Sequence, residues 1–403
     1  MDAGCKFFAG YPITPASGIF KSMIDRLPSR GGVSINAPDE ISAIAYCIGA
    51  SMRGFKAMTA TSGPGWALMI ESAQYALMTE TPLVVALVQR LGPSTGGATQ
   101  GAQGDVLLAE FATSGGYTIP ILCPSDAREC YDLTVLAFTW SELLRTPVIL
   151  LTDKEVAMTT EGVDYARLPK ITAQERSTNF DFNDFGDFQK HKRKGTYYFE
   201  QPQEIPAFAP VGGERKVTAT GSAHDKLGKL QKNSPETLEV LRHLEEKLYW
   251  RLDDLSVVKA DLDRNATTLV ISYGITARTA REAVKQARLR AETPVRRTSS
   301  LAGGHSGLPA SQNPRRQAGV QARAIKEHVS FLNIQSLFPI PAKRITQALK
   351  GIRRVVIAEE NMKGLYASVI RHLIPPDIEI RTVNKIGSMI TPQEILTAIC
   401  ESE

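Results

Sequence analysis

The first 155 or so residues alternate short apolar strands with helical segments, and few folds accept that order. Residues 6–10 predict a strand ending at Gly10, and residues 15–27 a helix. Residues 39–53 predict a second helix, with Ile41, Ile44, Ala45, Ile48 and Met52 on one face. Residues 56–61 predict a strand, Ser62-Gly63-Pro64-Gly65 a turn, and residues 66–78 a helix. Residues 83–89 are apolar on both faces, as in a strand buried inside a parallel sheet. Residues 118–122 and 147–152 repeat that pattern around a helix at 126–145. The fold class implied is α/β, in which ligands bind beyond the carboxyl ends of the strands.

A second α/β unit starts near Ala266, with strands at 268–273, 329–334, 355–358 and 378–382 and a helix at 277–289. Pro339-Ile340-Pro341 ends one element and starts the next. Residues 161–235 lose periodicity and read as an extended linker. Within it Phe180, Phe182, Phe185 and Phe188 alternate with Asp181, Asp184 and Asp187, and a basic run, His191 to Lys194, follows. That stretch is either a solvated connector or an arm lying on a partner chain. Residues 235–262 predict a charged helix, with Glu236, Leu238, Leu241, Leu244, Glu245 and Leu248 at heptad-like spacing, either a surface helix on its own domain or a coiled coil. Residues 293–326 carry six basic side chains and no acidic one, and read as an insertion, either a mobile loop or a phosphate-binding loop. The division is then 1–160, a linker at 161–235, and 236–403.

Composition narrows the function. A net charge of +5 is too weak to imply nucleic acid. No apolar run reaches the roughly 18 residues of a membrane helix, and the first residues lack the basic start and apolar core of a secretion signal. Cys5, Cys47, Cys123, Cys130 and Cys400 form no C-x-x-C pair and no zinc spacing. Scattered free thiols fit a reducing cytoplasm and rule out a self-contained iron–sulfur cluster.

Four motifs sit at strand-to-helix junctions. Tyr11-Pro12-Ile13-Thr14-Pro15 follows the first strand, and its prolines fix the backbone around one hydroxyl. Thr14 either faces a ligand or caps the next helix. Asp39-Glu40 opens the second helix, and the pattern does not say which acid caps and which faces a ligand. Thr59–Gly65 is a glycine-containing turn that lets backbone approach a ligand, without the spacing of a Walker loop or a dinucleotide fingerprint. Arg90 closes an apolar strand ahead of Gly92-Pro93-Ser94-Thr95-Gly96, where it is either a structural ion-pair partner or a grip on a substrate carboxylate.

These motifs, with Pro210–Gly213, Thr220–Asp225 and Gly387–Ile395, resemble the α subunit of 2-oxoacid:ferredoxin oxidoreductases, in particular the 2-oxoglutarate type. The resemblance covers nearly the whole chain apart from 293–326. It implies a pyrimidine-type thiamin diphosphate-binding domain followed by a transketolase C-terminal-like domain. It also implies oxidative decarboxylation of a 2-oxoacid to acyl-CoA and CO2, with electrons passing to ferredoxin. Glu40 matches the cofactor-activating glutamate, which would hydrogen-bond the aminopyrimidine ring and favour its imino tautomer. Tyr11, Pro12, Ile13, Ser62, Gly63 and Gly65 would line the cofactor. Arg90 would grip the substrate carboxylate, Thr14 would sit beside the 2-oxo group, and Ser94 and Thr95 would complete the substrate pocket. No metal ligand is expected on this chain. Magnesium and the iron–sulfur cluster are expected on a partner β subunit that shares the cofactor, and a γ subunit and ferredoxin are further partners.

Two departures stand out. Met1 lies only ten residues before Tyr11, where the family pattern has a further helix and glycine-rich loop, so a truncated start is expected. The 293–326 insertion interrupts a domain that is otherwise compact in the family. His224 and Asp225 are expected either to help close the site or to serve the linker's structure. The competing functions are a non-catalytic assembly subunit and a thiamin-dependent decarboxylase or synthase half-site.

Overall fold

Strand β4 (Leu83–Gln89) is buried at every position, and a sheet grows from both its edges in the computed structural model. The structure describes residues 1–164, 166, 168, 174–178, 195–292 and 328–400. The first sheet also contains β1 (Phe7–Gly10), β2 (Val33–Asn36), β3 (Ala57–Ser62), β5 (Ile121–Leu122), β6 (Pro147–Asp153) and β10 (Ser336–Phe338). Its order is β10-β5-β6-β4-β3-β1-β2, parallel throughout except for β10. Helices α1 (Ser17–Arg26), α2 (Glu40–Met52), α3 (Gly63–Met78), α4 (Val106–Glu110), α5 (Ala127–Leu144) and α6 (Lys154–Met158) complete the first unit. A parallel pair cannot close with a hairpin, so these helices are the crossovers the topology demands.

The second sheet holds β7 (Val258–Asp261), β8 (Thr268–Ser272), β9 (Val329–Ile334), β11 (Arg354–Glu359) and β12 (Glu379–Asn384) in the order β12-β11-β8-β9-β7. Only β7, at its edge, runs antiparallel. One buried cluster runs from Ile44, Trp66 and Met69 through Ile121 and Phe338 to Leu269, Ile357 and Tyr366. The two units therefore share a core.

Several elements differ from the sequence expectations. The helix expected over 235–262 ends early: α7 is Pro235–Tyr249, and β7 follows. It also packs on the first unit rather than the second. Lys247 Nζ donates to Glu80 Oε2 at 2.9 Å and to the Arg145 carbonyl, and His243 Nε2 lies 2.9 Å from the same Glu80 oxygen. Burial pushes the Glu80 carboxyl up, but Lys247, His243 and Arg145 overcome this and hold it well below the usual range. Strand β10 likewise comes from the second half of the chain yet completes the first sheet. Strands β2 and β7 escape the pattern because each is a four-residue edge strand, partly exposed along its length. The strand expected over 118–122 shrinks to two residues.

The described parts of the linker lie on the first unit. Arg176 clamps Glu142 at 2.5 and 2.7 Å and donates to the Ser51 carbonyl, while Tyr197, Phe199 and Phe208 are buried. The Phe180–Phe188 alternation, the basic run at 191–194 and the 293–326 insertion lie outside the described residues.

Candidate functional site

Strands β1, β3 and β4 are neighbours, and the chain leaves β1 toward β2 on one side and returns to β3 on the other. This is a topological switch point, where an open sheet forms a crevice. Three of the sequence motifs, Tyr11–Pro15, Ser62–Gly65 and Arg90–Gly96, leave the carboxyl ends of these three strands. Strand spacing alone puts their starts within about 10 Å of one another.

The structure separates Asp39 from Glu40. Asp39 is the exposed N-cap of α2, accepting from the Ser42 N–H at 2.7 Å, and that hydrogen bond lowers its carboxyl pKa. Glu40 points inward and is only 7% exposed. Among the described residues nothing hydrogen-bonds its carboxylate. It lies against the first turn of α3: a Cβ on Gly65 would stand 2.6 Å from Glu40 Cγ, 2.8 Å from its Oε1 and 2.1 Å from Thr61 Oγ1. Gly65 is thus required by packing, since any larger residue displaces Glu40.

Gly63 has a similar role. Its Cβ would meet the carboxylate oxygens of Asp105 at 2.7 and 2.8 Å. The expected glycine turn is in fact the strand end plus the first turn of α3, with one carboxylate against each of its two glycines. Ser62 is buried and its Oγ has no partner, as is Thr59 Oγ1 on β3.

Among the described residues Arg90 forms no ion pair. Its Nη1 donates to the Thr14 carbonyl at 2.5 Å and its Nη2 to the Thr95 carbonyl at 3.1 Å, so one guanidinium joins the loops after β1 and β4. Its Nε is buried and unpartnered. Thr14 caps nothing: Ala16 takes the N-cap position of α1, and the Thr14 hydroxyl makes no hydrogen bond among the described residues. Tyr11 and Pro12 are exposed at the rim, and Ile13 packs partly into the core beneath. Ser94, at φ 54°, and Thr95 are exposed on the β4 loop.

A cleft of about 440 Å³ opens here. The first unit lines it with Gly63, Arg90, Ser94 and Asp105, and the second with Asn361 and Lys363. Sequence reading missed the last three of these. Burial raises the Asp105 carboxyl to about 6, against the lowering influence of Arg90. Gln103 joins the units beside the cleft. Its side chain donates to Asp153 and to the Tyr273 carbonyl and accepts from Thr276 and the Glu360 N–H. Nothing in the local pattern singled this residue out, since only Ala102 accompanies it between Gly101 and Gly104.

Glu40 and Arg90 share the switch point, but no hydrogen bond joins them. His224 and Asp225 stand apart from both. His224 is fully buried, with its ring nitrogens facing the Asp225 and Met78 carbonyls. Met78 ends α3, about 20 Å from Gly63 at 1.5 Å per residue. Asp225 accepts from the Leu227 and Lys229 N–H groups and closes a turn. Among the described residues no group of three or more His, Cys, Asp or Glu side chains is arranged to hold a metal, and no helix is long and apolar enough to cross a membrane.

Comparisons with known proteins agree with one another. The family profile described as pyruvate flavodoxin/ferredoxin oxidoreductase, thiamine diphosphate-binding, matches residues 1–235. The chain is 35% identical over 401 residues to the 2-oxoglutarate synthase subunit KorA of Methanothermobacter marburgensis, covering 99% of this chain and 94% of that one. It is 33% identical to the subunit of the same name from Methanocaldococcus jannaschii, at 99% and 95% coverage. Among solved structures, the 2-oxoglutarate:ferredoxin oxidoreductase from Magnetococcus marinus, with 2-oxoglutarate, coenzyme A and succinyl-CoA bound, matches with a TM-score of 0.81 and 29% identity. That match covers 99% of this chain and 62% of the other.

Proposed function

The chain belongs to the pyruvate flavodoxin/ferredoxin oxidoreductase family, as an α subunit of the 2-oxoacid:ferredoxin oxidoreductase type, and from that premise we propose how its residues divide the work. The substrate in this reading is 2-oxoglutarate, after the names of the relatives, and the products are succinyl-CoA and CO2. The observation that carries the reading is Glu40: a buried carboxylate with no hydrogen-bond partner among the described residues, packed against a glycine.

Such a group fits the aminopyrimidine end of thiamin diphosphate, and Tyr11 to Ile13 and Ser62 to Gly65 form the walls around it. The bound cofactor supplies the electron sink for loss of CO2. Glu40 would hold or release a proton at the ring of the bound cofactor. Arg90, with Nε and further N–H groups uncommitted, takes the oxoacid carboxylate. The Thr14 hydroxyl, free of any capping duty, would orient the 2-oxo group, and Ser94 and Thr95 would bound the substrate on the loop side.

This reading leaves the diphosphate, magnesium and iron–sulfur cluster to a β subunit, which would complete the site from outside. The dispersed free thiols of this chain suit that division and a reducing cytoplasm. Coenzyme A and ferredoxin would be the further reactants, and a γ subunit a further component. The test is Glu40→Gln in the complex reconstituted with its partner subunit, assayed anaerobically by oxoacid-dependent viologen reduction with coenzyme A. Turnover is expected to fall about 10²- to 10⁴-fold, the usual worth of a positioned acid–base group. Unchanged turnover would sink the catalytic reading and leave an assembly role.

A further inference from the structure

Asp105 lines the same cleft as Arg90 and has no assigned role. It precedes α4, but its side chain caps nothing there. Its carboxylate lies flat against Gly63 and accepts from the backbone N–H of Arg90, while its Oδ2 is buried with no partner. Arg90 Nε is also buried with no partner. Two opposite charges therefore border one cleft, each with an unsatisfied atom, and no ion pair joins them.

We infer that Asp105 is a positioning residue that acts through Arg90, setting how tightly the guanidinium holds a substrate carboxylate. The inference rests on the reading of Arg90 as the carboxylate grip. When ionised, Asp105 offsets the field of Arg90 and repels an incoming anion in a partly desolvated cleft, where charges interact more strongly than in water. When protonated, it leaves the guanidinium to the substrate. Burial, which lifts the carboxyl to about 6, brings that change into an accessible pH range. The other charged groups around it are Lys363 across the cleft, Glu40 against the next glycine of α3, and Asp153, linked through Gln89.

The experiment measures the oxoacid KM at saturating coenzyme A from pH 5.5 to 8, in the reconstituted complex, for the wild type, Asp105→Asn and Arg90→Lys. The oxoacid carboxyl stays ionised throughout that range. The wild-type KM is expected to fall about fivefold as pH drops through 6. Asp105→Asn is expected to show the low KM at every pH, with kcat within twofold of wild type and the coenzyme A KM unchanged. Arg90→Lys is expected to raise the KM at least tenfold. A flat wild-type KM, or the wild-type slope kept in Asp105→Asn, overturns the inference; a raised KM in Arg90→Lys would still uphold the role of Arg90. An unchanged KM in Arg90→Lys overturns both. Should Asp105→Asn fail to fold by circular dichroism, Asp105→Ser takes its place, with the same flat, low KM expected and the wild-type slope overturning the inference.

Discussion

Gly65→Ala tests whether the glycines of α3 serve the carboxylates beside them. The added Cβ would stand 2.6 Å from Glu40 Cγ and 2.1 Å from Thr61 Oγ1. Carbon atoms rest at about 3.5–4.0 Å, so the Glu40 side chain must retreat by about 1 Å. Forcing a methyl into such a site costs about 1–3 kcal/mol, while alanine recovers up to about 1 kcal/mol of helix propensity. The net loss of stability is therefore small, about 0–2 kcal/mol. Activity behaves differently, because a misplacement of about 1 Å at a reacting group costs on the order of 10²-fold. Viologen reduction by the reconstituted complex reads the activity, and a urea titration of the same variant reads the stability. Gly49→Ala on α2 is the control: its Cβ would meet nothing within 4 Å, so turnover should stay at the wild-type level. Gly65→Ala with turnover within threefold of wild type would refute the view that this glycine holds Glu40 in register.

Two other predictions concern what keeps the site in place. Lys247→Met strands Glu80 in the core without its buried ammonium and should cost about 3–5 kcal/mol, read by urea unfolding. Because the folded-state pKa of Glu80 is depressed, its stabilising contribution is present above the unfolded value near 4.3 and is lost as pH falls through the folded value. Glu80→Gln should accordingly be destabilised at pH 7 and show a shallower acid limb than wild type. Gln103→Ala removes four side-chain hydrogen bonds, three of them between the units, and should cost about 2–6 kcal/mol at 0.5–1.5 kcal/mol each. Hydrogen exchange at the Glu360 N–H should quicken, and an unchanged exchange rate there would show that Gln103 does not hold the units together.

The parts of this fold that could be read from sequence are those set by local pattern. Strands β4 and β6 are mostly apolar on both faces because the sheet is covered on both faces, and the helices around them keep a helical period. Each candidate loop was visible because it breaks that pattern with proline, glycine or a lone charge. Tertiary partners were not visible. The roles of Asp39 and Glu40 depend on which side chain reaches the Ser42 N–H and which reaches Gly65, a contact spanning 25 residues. Asp105 lies between Gly104 and the apolar run Val106 to Ala109, where it reads as an ordinary helix-start acid, and only packing against Gly63 gives it meaning. α7 reads as a surface helix of the second domain because its heptad spacing cannot tell which neighbour its leucines meet.

The same long-range contacts explain why the site needs both halves of the chain. Strand β10 covers the edge of β5, so the first sheet is incomplete without residues 336–338. The far wall of the cleft, Asn361 to Leu365, follows β11, and it is tied to the near wall where Asn361 Nδ2 donates to the Gln103 carbonyl. Arg90 and Asp105 thus face a surface whose position is set by a hydrogen-bonded strand in one sheet and the end of a strand in the other. A first unit cut off after the linker would keep Glu40 and Arg90 on their strand ends. It would leave the β5 edge and the shared apolar cluster open to water, and the cleft without its second wall. The closed cleft is therefore a property of the joined pair of sheets, although Glu40 and Arg90 both lie in the first hundred positions.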